Sequence, residues 1–213
     1  LGVGVQAAAV TNLTPNHLDY HGTFEEYAKA KHQLLETLPE GAWAVLPEDL
    51  ADWKGPWRNA PVSGRKPVTQ RPGAWAEGEI LHAALQGEEI SFALPVPENP
   101  RLVGPHNQEN LLTALAGVLA IYPEAARKVD ALAEAVKRFG GLPHRLEFVI
   151  EKNGVRFYND SKATTPEAAI AALEAFPTGK VHAIAGGYDK KVDLSGFAST
   201  LKARAKAVYL IGA

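Results

Sequence analysis

The chain has 213 residues, 46% of them apolar, with a formal net charge of −2. That length buries roughly 70% of the surface an unfolded chain exposes, enough for one or two domains, and the near-neutral charge gives no support to nucleic-acid or membrane-surface binding. No apolar run approaches the ~20 residues that span a bilayer; the absence of cysteine excludes a disulfide framework or thiolate metal site and fits a cytoplasmic protein.

The first ten residues, Leu1 to Val10, are an apolar stretch, and methionine is absent throughout. The end, Val208 to Ala213, reads as a strand entering a turn. Both ends therefore read as cut from within a longer protein; the alternative is that modified methionines are missing from the sequence, which would shorten some spacings. No signal-peptide pattern is read at the start. Thr23 with Glu26 forms a capping box opening a helix. Phe24, Tyr27, Lys31, Leu34, Leu35 and Leu38 follow at helical spacing on one face. Ala42 to Leu46 is strand-like, and residues 54–74, rich in Pro, Gly and Arg, read as irregular. Strands near 79–85 and 89–94 flank Gln86-Gly87 as a hairpin. Helices are expected over Asn107 to Tyr122 and Ala125 to Phe139, the second ended by Gly140-Gly141-Leu142-Pro143.

Beyond Pro143 the rhythm changes to strands near 145–151 and 155–159 around Asn153-Gly154, a tight-hairpin pair. Helix 166–175, strand 181–185, a Gly186-Gly187 turn, helix 194–204 and strand 207–211 follow. Alternating strands and helices predict an α/β fold with a parallel sheet covered by helices, and a domain boundary near Leu142–Arg145.

The stretch Asn159-Asp160-Ser-Lys162-Ala-Thr164-Thr165-Pro166-Glu167 carries the most information. A strand runs into an acid, a hydroxyl and a lysine, and Thr165 caps a helix with Pro166 at its first position. Open α/β sheets place ligands at such strand ends, where helix N-termini favour anions. An ordinary capped loop gives the same pattern.

Lys31 sits on its helix's apolar stripe. Either it snorkels at the stripe's edge, or it is a buried amine suited to nucleophilic or modification chemistry. His17, two residues before Asp19 and near His21, could reach a metal or phosphate, and equally fits a solvent-facing turn. Asn107 and Asn110 share a helix face beside His106. Their amides could cap the helix or read the edge of a nucleotide base. His144-Arg145 offers a cation for phosphate, and Gly186-Gly187 followed by Lys190 suits a carboxylate or phosphate.

In this order the segments resemble the Mur ligases, ATP-dependent amide-bond-forming enzymes of peptidoglycan assembly. The matching pieces are Asn12-Leu-Thr-Pro-Asn-His17-Leu-Asp19, Tyr27-Ala-Lys-Ala-Lys31, Gly104-Pro-His-Asn107-Gln-Glu-Asn110, Gly141-Leu-Pro-His-Arg145, Asn159-Asp-Ser-Lys162-Ala-Thr164 and Gly186-Gly187 with Lys190. The Asp-Ser-Lys-Ala-Thr string resembles the branch that adds D-glutamate to UDP-N-acetylmuramoyl-L-alanine. The resemblance implies that residues 1–143 are the later part of a central ATPase domain and residues 144–213 the first half of a Rossmann-like C-terminal domain.

It also implies ATP and Mg²⁺ as cofactors, an acyl-phosphate intermediate, a cytoplasmic monomer, and no nucleic-acid or membrane partner. Lys31 matches the lysine the family carbamylates to hold Mg²⁺, and His17 a metal-site histidine. Asn107 and Asn110 match adenine-side amides, with His106 a neighbouring nucleotide contact. Arg145 and Asp160 match residues that approach ATP; Lys162, Thr164 and Lys190 match D-glutamate and phosphate contacts. Two features depart from the pattern. Thr165 stands where the family usually has Asn, and no G-x-x-x-x-G-K-[ST] phosphate loop occurs, so that loop is expected upstream. Another Mur-type or folylpolyglutamate-type ligase, or a silent nucleotide-binding module, remain as alternatives.

Overall fold

The computed structural model describes residues 5–14, 18–64, 72–93, 99–187 and 192–212. The fold is α/β and divides into two compact units, one of residues 1–95 and 108–137 and the other of residues 96–107 and 138–213.

The first unit is built on a six-stranded sheet in the order β1 (Ala7–Ala9), β2 (Trp43–Pro47), β3 (Arg58–Ser63), β4 (Gly73–Glu77), β5 (Ile80–Leu85) and β6 (Glu88–Ala93). The β1 to β4 pairings are parallel and those from β4 to β6 antiparallel. β2 is a continuous buried run, as expected of a parallel strand covered on both faces. The β5–β6 turn puts Gln86 (φ 54°) and Gly87 (φ 83°) in the left-handed region, which the tightest hairpins require.

After the short α1 (Leu18–His21), α2 (Phe24–Glu36) starts at Thr23, whose Oγ1 accepts the Glu26 N–H at 3.2 Å. Leu35 and Leu38 pack with Val10, Ala44, Leu46 and Trp57 in one core cluster. Leu34 departs from the expected stripe and is 54% exposed; one residue from Leu35, it is rotated by about 100° from the buried face. α3 (Pro105–Ile121) buries Leu112, Leu115, Ala116 and Leu119. It begins two residues earlier than the sequence suggests, because Pro105 is pre-set for a first helical position.

Two further expectations need correction. Residues 58–63 form β3 rather than irregular chain, with Ala60 and Val62 buried. Pro61 lies within this strand, but β4 pairs only with Val62 and Ser63, so the β4 side has no ladder at Pro61 to interrupt. The expected helix 125–139 is split into a 3₁₀ segment, Pro123–Lys128, and α4 (Val129–Arg138). Asp130 falls in the first turn of α4, where the helix dipole favours an acid.

The second unit opens with the antiparallel hairpin β7 (Glu147–Lys152) and β8 (Val155–Asn159), turning at Asn153 (φ 52°) and Gly154 (φ 74°). α5 (Pro166–Glu174), β9 (Val181–Gly186), α6 (Ser195–Arg204) and β10 (Ala205–Ile211) follow, with β9 and β10 parallel. Arg204 donates to the Phe176 carbonyl at 2.9 Å, satisfying one acceptor just past the end of α5. Thr165 Oγ1 accepts the Ala168 N–H at 3.3 Å. Thr165→Ala is expected to cost about 1 kcal/mol through loss of this cap, read as a lowered midpoint in thermal unfolding. Among the described residues no helix is long and apolar enough to cross a membrane.

Candidate functional site

The β7–β8 hairpin brings together two sequence-distant segments. Its register pairs Glu147 with Asn159, so the residues just before β7 stand beside those just after β8. Hydrogen bonds then join the two loops. The Lys162 N–H donates to the His144 carbonyl at 3.1 Å, and the Leu146 N–H donates to Asp160 Oδ1 at 2.9 Å. Asn159 Nδ2 donates to His144 Nδ1 at 2.9 Å, and Glu147 Oε2 accepts the His144 N–H at 2.8 Å.

Within the later loop, the Ser161 N–H donates to Asn159 Oδ1 at 3.1 Å and the Ala163 N–H to the Asp160 carbonyl at 2.9 Å. His144 (φ 64°) and Leu146 (φ 40°) both occupy the left-handed region, with Arg145 between them. Bulky residues seldom adopt that conformation, and where they do, surrounding contacts hold them there. Here the holding contact at Leu146 is the Asp160 carboxylate.

Asp160 is half-buried, and burial pushes its carboxyl pKa up; the Leu146 N–H, His106 and Arg145 pull the other way. His106 is pushed down by burial, against the attraction of Asp160. The ring's Nδ1 is shielded from solvent with no hydrogen-bond partner among the described residues. Gly104 (φ 90°), two residues before it, lies against α5: a Cβ there would meet the Ala175 Cβ at 2.6 Å. Arg145, Lys162 and Thr164 are exposed around this anchored acid. The second unit thus gathers His106, Arg145, Asp160, Lys162 and Thr164 near one strand end, a set of cations and a hydroxyl beside a carboxylate. Asn107 belongs to the same unit; its Nδ2 donates to the Val103 carbonyl at 2.8 Å, a local bond back to the chain before α3 that leaves Oδ1 as an acceptor.

Lys31 and Asn110 belong to the first unit. Lys31 is half-exposed, donates from Nζ to the Asn12 carbonyl at 3.1 Å, and stands 5.1 Å from the Tyr27 ring centroid. Asn110 is exposed on α3. His17 and Lys190 lie outside the described residues, as does the side chain of Asp19, while the His21 ring packs 5.2 Å from that of Tyr27. Among the described residues no three His, Cys, Asp or Glu side chains cluster as a metal site.

Sequence reasoning did not assign roles to Asn159 as a tie to His144, to Leu146 as the strained residue, or to the Asn12 carbonyl that holds Lys31. The Asn153-Gly154 turn signalled the hairpin, but the pairing of Glu147 with Asn159 also needs the register shift between Phe148 and Ile150, which the turn does not set. Nothing in the spacing signalled the third.

Residues 2–118 match the family described as the Mur ligase middle domain, and residues 144–213 the Mur ligase, glutamate ligase domain. The chain is 41% identical over 216 residues to UDP-N-acetylmuramoylalanine--D-glutamate ligase of Acidobacterium capsulatum, covering 96% of this chain and 44% of the relative. Identity to the enzyme of the same name from Solibacter usitatus is 42% over 207 residues, covering 95% and 44%. The chain thus spans less than half the length of these relatives. Among solved structures it resembles MurF ligase from Thermotoga maritima in complex with ADP, with a TM-score of 0.66 and 19% identity over 97% of this chain and 48% of that one. MurF from Acinetobacter baumannii gives a TM-score of 0.65 at 17% identity, covering 98% and 47%. At these identities the structural likeness concerns the fold.

Proposed function

The chain belongs to the Mur ligase family, and on that premise we propose that it is part of an ATP-dependent ligase that joins D-glutamate to UDP-N-acetylmuramoyl-L-alanine in peptidoglycan synthesis. The observation that carries this reading is the Asn159–Thr164 loop. Its string resembles that of the D-glutamate-adding branch, relatives of that name stand at 41–42% identity, and its Asp160 is pinned by the Leu146 N–H. In this reading residues 1–143 are the later part of the central ATPase domain and residues 144–213 the first half of the C-terminal domain, in a cytoplasmic monomer.

ATP with Mg²⁺ supplies the phosphoryl group that activates the substrate carboxylate. Lys31 fits the metal as a carbamate. Carbamylation leaves one N–H on Nζ to keep the Asn12 contact and adds the anionic oxygens a hard cation requires, which the described residues do not otherwise assemble. Asn107 offers Oδ1 to a base amine, with Asn110 further along the same helix. His106 contacts the nucleotide nearby. Arg145 and Asp160 orient the phosphates and their counter-ion. Lys162 and Thr164 hold the two carboxylates of D-glutamate, a dianion suited to exposed cations and hydroxyls. His17 and Lys190 take the metal-side and glutamate-side roles that the resemblance implies for them.

The chain has no phosphate loop of its own, so the test uses the intact protein. Phosphate release is expected only when ATP, Mg²⁺, UDP-N-acetylmuramoyl-L-alanine and D-glutamate are all present. Equal release with diaminopimelate or a polyglutamate acceptor would reassign the substrate, and no release with any acceptor would leave a silent nucleotide-binding module.

A further inference from the structure

A cavity within the first unit includes none of the residues assigned to this reaction. It has a volume of about 290 Å³ and is lined by Trp53, Lys54, Trp57, Asn59, Pro61 and Pro72, with Gly55. At ~30 Å³ per water this is room for roughly ten waters, or a ligand of about ten non-hydrogen atoms.

The walls are fixed before any ligand arrives. Trp57 is 7% exposed, and its Nε1 donates to Asn59 Oδ1 at 2.7 Å. Asn59 Nδ2 in turn donates to the Ala51 carbonyl at 2.6 Å and the Trp53 carbonyl at 2.9 Å. The amide thus spends its donors on holding the segment between β2 and β3. Gly55 lies flat on the Trp57 ring, where a Cβ would fall 1.9 Å from a ring carbon. The His32 ring meets Trp53 and Trp57 edge-on at centroid distances of 5.0 and 5.5 Å, bracing both indoles against α2.

What such a cavity offers is the partly exposed indole of Trp53, two proline rings and one cation. Among the described residues Lys54 is the only charged side chain in the lining, and no acidic side chain belongs to it. Indole faces alone would favour a cation, by about 0.5–1 kcal/mol at an exposed site. An ammonium ligand here would meet Lys54 as a like charge. A flat ring can stack offset on an indole while an anionic substituent turns to the lysine. We propose that this cavity is a binding site for a small planar aromatic carboxylate, its ring against Trp53 and its carboxylate at Lys54. The assignment is independent of the ligase reading, because none of these residues serves that reaction.

The test is a fluorescence titration of the intact protein with benzoate, using Trp53 and Trp57 as reporters, with benzamide and benzylammonium as neutral and cationic controls. Benzoate is expected to change the tryptophan emission saturably, more tightly than benzamide and far more tightly than benzylammonium. Lys54→Gln should weaken benzoate about fivefold, the scale of one exposed charge pair, and leave benzamide unaffected. Since Lys54 is exposed, this variant keeps the fold, and an unchanged melting temperature checks it. Trp53→Leu should abolish benzoate binding and leave phosphate release at the wild-type rate. No saturable response to millimolar benzoate, tighter binding of benzylammonium, or an affinity for benzoate untouched by Lys54→Gln would each overturn the assignment.

Discussion

Lys31→Ala in the intact protein is expected to lower the rate of ATP-dependent phosphate release by at least about 100-fold, the scale of removing one electrostatic element that stabilises a transition state. The stability cost should be small by comparison. Among the described residues the side chain makes one hydrogen bond, from Nζ to the Asn12 carbonyl, and stands 5.1 Å from the Tyr27 ring centroid. A hydrogen bond contributes about 0.5–1.5 kcal/mol and an exposed cation–π contact about 0.5–1 kcal/mol. Because the amine is half-exposed, the combined loss lies toward the low end. A steep fall in rate with a nearly unchanged melting temperature therefore separates a chemical role from a packing one. Acetate alone is not expected to restore the rate, since it does not fill the space of the missing side chain; a longer carboxylate that does fill it should. Mass spectrometry of the wild-type protein should show a carboxyl group added at this lysine. Normal activity in Lys31→Ala would mean that Lys31 only snorkels at the edge of its helix stripe.

The parts of the fold legible in the sequence are those set by local chemistry. Thr23 and Thr165 both accept the N–H three residues on, as hydroxyl caps do. Asn153-Gly154 and Gln86-Gly87 supply the positive φ that two tight hairpins require. What escaped was decided by tertiary context. Pro61 argues against a strand when read alone, yet the burial of Ala60 and Val62 beside β2 holds one there. Leu34 fits the helical spacing as Leu35 and Leu38 do, but it stays exposed while those two are buried. The candidate site divides the same way. The Asp160–Thr164 loop stands out as a polar string before a helix cap. Its tie to His144 and Leu146 exists only because the hairpin register carries residues about 15 apart into contact. Lys31 was conspicuous as a charge in an apolar stripe; the carbonyl it meets, 19 residues away, had no sequence signature.

Asp160→Asn should separate activity from stability in the opposite sense to an ordinary loss of contact. Burial raises the Asp160 pKa above the usual 3.8 in spite of the Leu146 N–H, His106 and Arg145, all of which favour the anion. The folded protein therefore holds this proton more tightly than the unfolded chain does. The stability linked to protonation is complete below 3.8 and is lost as pH rises through the elevated folded value. At neutral pH the carboxylate is a charge the fold holds at a cost. An asparagine keeps an Oδ1 to accept the Leu146 N–H, so the left-handed turn at Leu146 keeps its partner while the charge is removed. The melting temperature at pH 7 is expected to stay level or rise, and any advantage over wild type should vanish toward pH 3. His106 sharpens the contrast. Its pKa is lowered from 6.5 by burial, so the stability it carries is complete above 6.5 and lost as pH falls through the depressed value. Without the Asp160 anion that value drops further, and the variant should lose more stability in acid than wild type. Phosphate release by Asp160→Asn should fall about 100-fold if the carboxylate serves the phosphates and their counter-ion. A variant that is active and markedly less stable at pH 7 would make Asp160 a structural clasp for the Leu146 turn and remove it from the site.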